Sequence, residues 1–426
     1  MKGIQWFNNW RILPRRLGLT GIWSLIALLQ TLILVALLVN WPPIFLTLVV
    51  PDAEATYWLS LKQEFEAKNP DIRINLIELA DPEGDVTSQL RQLCDINLIT
   101  GTSNCDLIYT DVIWVPEFAD KGVLMNLSDR ISQSELAPFL TTDVKSGQYQ
   151  GGLYRIPFRS EVSLLYYRKD LLKQARYEPP QTFQELREIS KTLQQRGLAK
   201  WGYLWQGRQY EGLIAMFVEV LNGHGAFWIN PQTLEVGLDR PEAIAAVRFL
   251  IGTIEDKISP QKSYNEAESF AEFQQGNAVF LRNWNDVWIK VNADNSPISG
   301  KVGIQPMRLH TETGNGGGCN GSWGLGIAQT SKYPEQAWKA IKYLTSEEAQ
   351  RQFMQYTSYV PSRKALFKDP KLLKAVENSI LRPPIPQYSE ASKILQRYLS
   401  AAIQKQLSPE QAMKEAAEET RTLLIQ

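Results

Sequence analysis

Two carboxylates stand out by position, Asp111 and Glu161, each at the end or mouth of an apolar run with a tryptophan or a tyrosine pair a few residues away, and Trp284, followed by Asn285 and Asp286, repeats the pattern at a further strand end. Asp111 follows the run Asp106 to Tyr109, with Trp114 three residues on; Asp286 follows Ala278 to Trp284. Glu161 precedes Leu164, Leu165, Tyr166 and Tyr167 in the stretch GLYRIPFRSEVSLLYYRKDLL, Gly152 to Leu172. A carboxylate accepts hydrogen bonds from two hydroxyls at once, and a charged acceptor strengthens each bond roughly twofold. An indole covers an apolar C–H face with a large rigid surface, so carboxylates alternating with tryptophans suit a polyhydroxylated ligand. Asp111 reads equally as a ligand group or as the cap of a helix starting near Pro116, and Glu161 as a cleft group or a strand-edge cap. Most of the 13 tryptophans belong in a core; Trp205, Trp228 and Tyr210 are lesser contact candidates. Of Tyr166 and Tyr167, on opposite faces of one strand, at most one can reach a ligand.

These groups need elements to hold them, and the patterns alternate. Ile44 to Val50 is an apolar strand; Tyr57, Leu61 and Phe65 mark a helix ending at Asn69-Pro70; Ile72, Ile74 and Leu76 alternate as a strand. Asp85 to Leu93 is helix-like. Strand, helix, strand at the start predicts a parallel α/β sheet, in which ligands sit beyond the carboxyl ends of the strands, where Asp111 and Trp284 fall. Thr182-x-x-Glu185 and Thr345-x-x-Glu348 read as capping boxes. Helices are expected over Glu211 to Leu221, Pro241 to Ile254, Asn265 to Gln275 and Glu335 to Leu344, with a last one opening at Ser408-Pro409. The Gly-rich GNGGGCNGSWGLG, Gly314 to Gly326, matches neither phosphate-binding spacing; it reads as a loop letting backbone approach a ligand beside Trp323, or as a plain connection.

Composition excludes several functions. Lys plus Arg and Asp plus Glu balance at 45 each, so there is no basic field for nucleic acid. Two histidines and three cysteines leave little for a metal, and no metal or cofactor is expected. The length of 426 residues allows two domains with full cores. Basic Lys2, Arg11, Arg15 and Arg16 precede an uncharged run whose core, Gly21 to Val39, is long enough to cross a bilayer, which places the remainder outside the cytoplasm. No Ala-x-Ala site or lipid-bearing Cys follows, so an uncleaved anchor is favoured over a cleaved signal peptide. In that compartment Cys94 and Cys105 either form a disulfide or remain thiols, with Cys319 left over.

Several segments, in collinear order from Ile44 to the C-terminus, resemble the extracellular solute-binding proteins of ATP-binding cassette importers, in particular the maltose and trehalose/maltose-binding group. They are DLIYTDVIWVPEFADKGVLMNLSD, IPFRSEVSLLYYRKDLL, LWQGRQYEG, FLRNWND, CNGSWGLGIA and YVPSRKAL. The resemblance implies a two-lobe periplasmic-binding-protein fold of type II, maltose-binding-like, here with an N-terminal transmembrane helix. Residues 1–43 would be a cytoplasmic tip and membrane anchor or signal, 44–160 and 320–362 lobe one, 161–319 and the C-terminal helices 363–426 lobe two. The crossovers would lie at the Glu161 stretch, near Gly318 to Trp323 and near Tyr359 to Arg363. It implies that Glu54, Asp111 and Glu161 accept from sugar hydroxyls, that Trp284 and Trp323 are aromatic platforms, that Gly321 allows close backbone approach, and that Arg363 and Tyr388 add a donor and an aromatic. Glu161 stands where an Asp is commoner and Ser322 where a second Gly is usual, which bears on which sugar is taken. The expected partners are a di- or oligosaccharide or small glycoside of maltose, trehalose or glucosylglycerol type, permease subunits at the outer membrane face, and the bilayer. A glycoside hydrolase using Asp111 and Glu161, and a membrane-anchored sugar sensor, are the competing readings.

Overall fold

The computed structural model describes residues 26–30, 42–80, 91, 105–312, 314, 316–357 and 359–425. The expected membrane segment apart from residues 26–30, the helix-like Asp85 to Leu93 apart from Arg91, and Cys94 with its pairing to Cys105 lie outside the described residues. Among the described residues no helix is long and apolar enough to cross a membrane.

The strands are β1 (Ile44–Pro51), β2 (Ile72–Leu79), β3 (Leu107–Asp111), β4 (Gln148–Tyr149), β5 (Gly152–Leu153), β6 (Ile156–Ser160), β7 (Ser163–Arg168), β8 (Trp201–Leu204), β9 (Ala278–Trp284), β10 (Val302–Pro306), β11 (Trp323–Ile327) and β12 (Val360–Pro361). They form a six-stranded sheet ordered β12-β6-β11-β3-β1-β2, a four-stranded sheet ordered β10-β7-β9-β8, and the hairpin β4-β5. Neither large sheet is purely parallel. β1 and β3 run parallel as the opening pattern predicts, but β11 lies antiparallel between β3 and β6, and β7 is antiparallel to β9. The reason is connectivity: β11 enters the first sheet from the side of the second, so it meets β3 head to tail.

Local rules explain most helices. On the helix Asp52–Lys68 the buried face is Ala55, Trp58, Leu61 and Phe65, a three-and-four spacing, whereas Tyr57 is only half-buried. Thr182 and Glu185 form the expected capping box of the helix Phe183–Gln195. The second expected box is shifted by one residue: Ser346, not Thr345, accepts from the amide of Ala349, while the Thr345 hydroxyl donates to the carbonyl of Ile341 at 2.8 Å.

The two sheets meet through chain segments that pair with each other. Between Ser160 and Ser163 the chain leaves the first sheet and enters the second, and Val162 bridges antiparallel to Asn320 on the return. The amides of Ser163 and Gly321 donate to the carbonyls of Cys319 (3.2 Å) and Glu161 (3.0 Å). Ile380 runs parallel beside Cys319, its amide on the carbonyl of Gly318 at 2.8 Å. Phe367, Leu372 and Leu373 pack on the core of the second sheet, around Leu164, Tyr166, Leu281 and Val302.

Beneath this crossing lies a fully buried ion pair, Glu219 with Arg282. Glu219 comes from the helix Glu211–Gly223 and also accepts from the Cys319 amide at 3.2 Å and from the Ser163 hydroxyl. Arg282, on β9, adds a bond to Gln206 Oε1 at 3.1 Å. Removing one member leaves a bare charge in the interior, which costs about 3–5 kcal/mol. Glu219→Gln should lower the urea midpoint accordingly, while Arg248→Ala, which breaks an exposed pair with Glu410, should leave it unchanged; equal midpoints for both variants would remove Glu219 from this role.

Candidate ligand-binding cleft

Register sets the floor of the site. Trp323, first in β11, lies opposite Asp111, last in β3, and on its other side opposite Arg159 of β6. In the second sheet Ser163, first in β7, lies opposite Trp284, last in β9. Both sheets therefore end at one cavity of about 580 Å³, lined by Asp111, Arg159, Glu161, Trp284, Gly321 and Trp323 among others, with Tyr210, Glu211, Glu266, Asn283, Asp286, Tyr359 and Arg382 completing the polar wall.

Of the nine residues expected at a site, five line this cavity: Asp111, Glu161, Trp284, Gly321 and Trp323. The other four stand outside its lining. Glu54 is buried behind the floor, where it accepts from Trp58 Nε1 (3.2 Å), the Tyr109 hydroxyl (3.1 Å) and Arg159 (3.2 Å). Trp114 is packed edge-on against Trp323, 5.4 Å between centroids, as part of the core. Arg363 turns away: its Nε donates to the Thr345 carbonyl at 2.8 Å and its guanidinium lies over Phe139. Tyr388 is fully buried with its hydroxyl on Glu211, so it braces a wall residue. Of the lesser candidates Tyr210 lines the cavity; Trp205 donates inward to Thr253 and Ser259, and Trp228 packs on Tyr388. Neither Tyr166 nor Tyr167 lines it; Tyr166 donates to the Trp284 carbonyl at 2.7 Å from beneath.

Sequence reasoning missed the arginines. Arg159 bonds Glu161 and Glu54, so one cation serves two carboxylates. Arg382 does the same for Glu211 (2.7 Å) and Asp111 (3.4 Å). The available signal was the pair Arg159-x-Glu161, whose alternate spacing in an extended stretch, Arg159 on β6 and Glu161 just past its end, puts both side chains on the same side. Nothing local marks Arg382, which lies 271 residues from Asp111. Asp111 resolves its own ambiguity by filling both roles: one oxygen accepts from the Ile113 amide at 3.2 Å, capping the turn Val112–Trp114, and from Arg382.

The indoles are held by charge as well as packing. Trp284 lies 4.4 Å from the Arg282 guanidinium and donates from Nε1 to Glu266 at 3.2 Å, and Trp323 lies 5.1 Å from that of Arg159. A Cβ at Gly321 would sit 3.0 Å from the Trp284 ring, so that glycine keeps backbone and indole in close approach. Among the described residues no group of three or more His, Cys, Asp and Glu side chains is arranged to hold a metal.

Burial pushes the Glu161 carboxyl up to about 8, against the attraction of Arg159 and with repulsion from Asp286, Glu54 and Asp111 added to it. Burial raises Asp111 as well, opposed by Arg382.

A family model described as bacterial extracellular solute-binding protein matches residues 51–351. A Probable ABC transporter-binding protein of Deinococcus radiodurans is 29% identical over 334 residues, covering 73% of this chain and 78% of that protein. A maltotriose-binding protein of Pyrococcus abyssi is 24% identical over 347 residues, 78% of this chain and 71% of its own length. Among solved structures, maltose-bound MalE3 of T. maritima superposes with a TM-score of 0.80 at 34% identity, covering 89% of this chain and 100% of that one.

The raised carboxyl gives a pH test. Its ordinary value is 4.5 and its folded value about 8, so between these the folded chain holds a proton that the unfolded chain has lost. Stability from this group is therefore fully present below 4.5 and declines as pH rises to about 8, with a slope of up to about 1.4 kcal/mol per unit. Urea unfolding across that range should show the decline, and Glu161→Gln should flatten it by about one proton; an unchanged slope would contradict the assignment.

Proposed function

The chain belongs to the bacterial extracellular solute-binding protein family, and we propose that it captures a di- or oligosaccharide or small glycoside between its two lobes and delivers it to the permease of an ATP-binding cassette importer. The observation that carries the sugar reading is the convergence of two tryptophans, Trp323 from the first sheet and Trp284 from the second, on one cavity walled by carboxylates and arginines. Hydroxyls donate to Asp111, Glu161, Glu266 and Asp286 and accept from Arg159 and Arg382, while the indoles take the C–H faces of the rings. The solute-binding relatives set the hydrolase reading of Asp111 and Glu161 aside: the two acids act here as acceptors.

Closure follows from the architecture. The lobes are joined by the paired segments at Glu161 to Ser163, Cys319 to Gly321 and Ile380, so a rotation there brings the two indoles together around the ligand, and the closed form is the one a permease reads. The lobe limits at 160/161 and 319/320 agree with this reading, and that at 362/363 precedes its third segment at Ile380. The family's extracellular character supports a location of the solute-binding region outside the cytoplasm, and in this reading the uncharged run Gly21 to Val39 is its tether to the bilayer, with the permease as membrane partner.

Titration of the protein with maltose, trehalose and glucosylglycerol, followed by calorimetry and thermal unfolding, tests the reading. At 100 times its Kd a ligand should add about 2.7 kcal/mol of stability without being consumed. Trp284→Ala and Asp111→Asn should each weaken that ligand at least about tenfold, since a stacked ring or a charge-assisted bond contributes more than about 1.4 kcal/mol. Release of reducing sugar, or full affinity in both variants, would refute it.

A further inference from the structure

The cavity has Arg382 in its lining. A second hollow of about 470 Å³ adjoins it, lined by Val112, Lys145, Tyr149, Gln150, Pro383 and Arg382 itself. The two share the Arg382 side chain, and the backbone step from Asp111 to Val112 passes from one lining to the other. The shared Arg382 has a side chain 3% exposed, and its guanidinium spans three points: Glu211 at 2.7 Å, Asp111 at 3.4 Å and the Asn320 carbonyl at 3.3 Å.

We propose that the Asp111–Arg382–Glu211 triad is a wall that limits the ligand to two rings, one against each indole, and keeps longer glycans out of the second hollow. The proposal rests on the sugar reading and sharpens it. The three anchors come from different parts of the fold: Asp111 ends β3 of the first sheet, Glu211 opens the helix Glu211–Gly223, and Asn320 lies in the segment crossing between the sheets. Each is itself fixed. Asp111 accepts from the Ile113 amide, Glu211 from the hydroxyls of Tyr388 and Ser392, and the Asn320 side-chain amide donates to Asp143 at 3.1 Å. Swinging the guanidinium aside to admit a third ring would leave the buried Asp111 and the half-buried Glu211 without their shared cation, so the wall resists displacement. The second hollow could hold a sugar, since Tyr149, Gln150 and Lys145 offer a ring face and polar groups; the wall, not the chemistry beyond it, sets the length.

The test is the length dependence of affinity, measured by calorimetry with maltose, trehalose, maltotriose and maltotetraose on the intact protein. The wild type should bind the better of the two disaccharides at least tenfold more tightly than maltotetraose. In Arg382→Ala the disaccharide weakens, but the ratio of the two constants should fall toward one as the compartments merge. Gln148→Trp, which places an indole at the second hollow, should leave wild-type disaccharide affinity unchanged and should weaken maltotetraose again when combined with Arg382→Ala. A wild type that binds maltotetraose as tightly as a disaccharide overturns the wall and leaves the sugar reading standing. So does a ratio unchanged in a folded Arg382→Ala. Absence of binding by every sugar overturns both.

Discussion

The fold turns on a buried ion pair that joins things far apart in sequence. Glu219 and Arg282 are both essentially without solvent, and alone such a pair is worth little, because the desolvation of two charges consumes the attraction between them. Its significance lies in what else the two side chains hold. Glu219 takes the Ser163 hydroxyl at the start of β7 and the Cys319 amide on the returning segment, so one carboxylate fixes two of the three chain passages between the sheets. Arg282 lies against the Trp284 indole two residues along its own strand. Two chain passages of the crossing and the position of one aromatic platform are thereby held by a single interaction.

The cleft repeats this economy with opposite consequences. Around Arg159 and Arg382 each cation is shared by two carboxylates, so the buried part of the site carries more negative than positive charge. Burial then raises Glu161 and Asp111 instead of the pairs relaxing into fully ionised bridges. A neutral polyol with many hydroxyl donors relieves that imbalance without adding charge, which is why an acid-rich wall and a neutral sugar are compatible. The arginines also separate two tasks: Arg159 ties the floor to Glu54 behind it, while Arg382 spans the two lobes at the end of the cavity.

The residues expected at the site that the cavity does not contain have, with one exception, a common physical pattern. Glu54, Trp114 and Tyr388 are all buried one layer back, each touching a lining group: Glu54 the Arg159 guanidinium, Trp114 the Trp323 ring, Tyr388 the Glu211 carboxylate. They support the site from behind it. Arg363, by contrast, faces away altogether, and the donor on that side is Arg382, nineteen positions later in the chain, reached only after the return past Ile380. Counting residues along a motif does not reveal such a substitution, because the intervening segment packs on the second sheet before coming back to the cleft.

By itself the sequence determined the short-range structure: the strands around Asp111, Leu164 to Tyr167 and Trp284, the capping of the helix Phe183–Gln195, and the placing of carboxylates and indoles at strand ends. Those follow from periodicity, turn residues and local hydrogen bonds, all fixed within a few residues. Only the tertiary structure decided that the first sheet is mixed, that Trp58 and not Tyr57 faces the core, and that Arg159 and Arg382 bind the acids of the cleft. These depend on which distant segments meet. Asp111 and Arg382 are 271 positions apart, and two charges that far apart along the chain become partners only when β3, the crossing segments and the C-terminal passage are packed together.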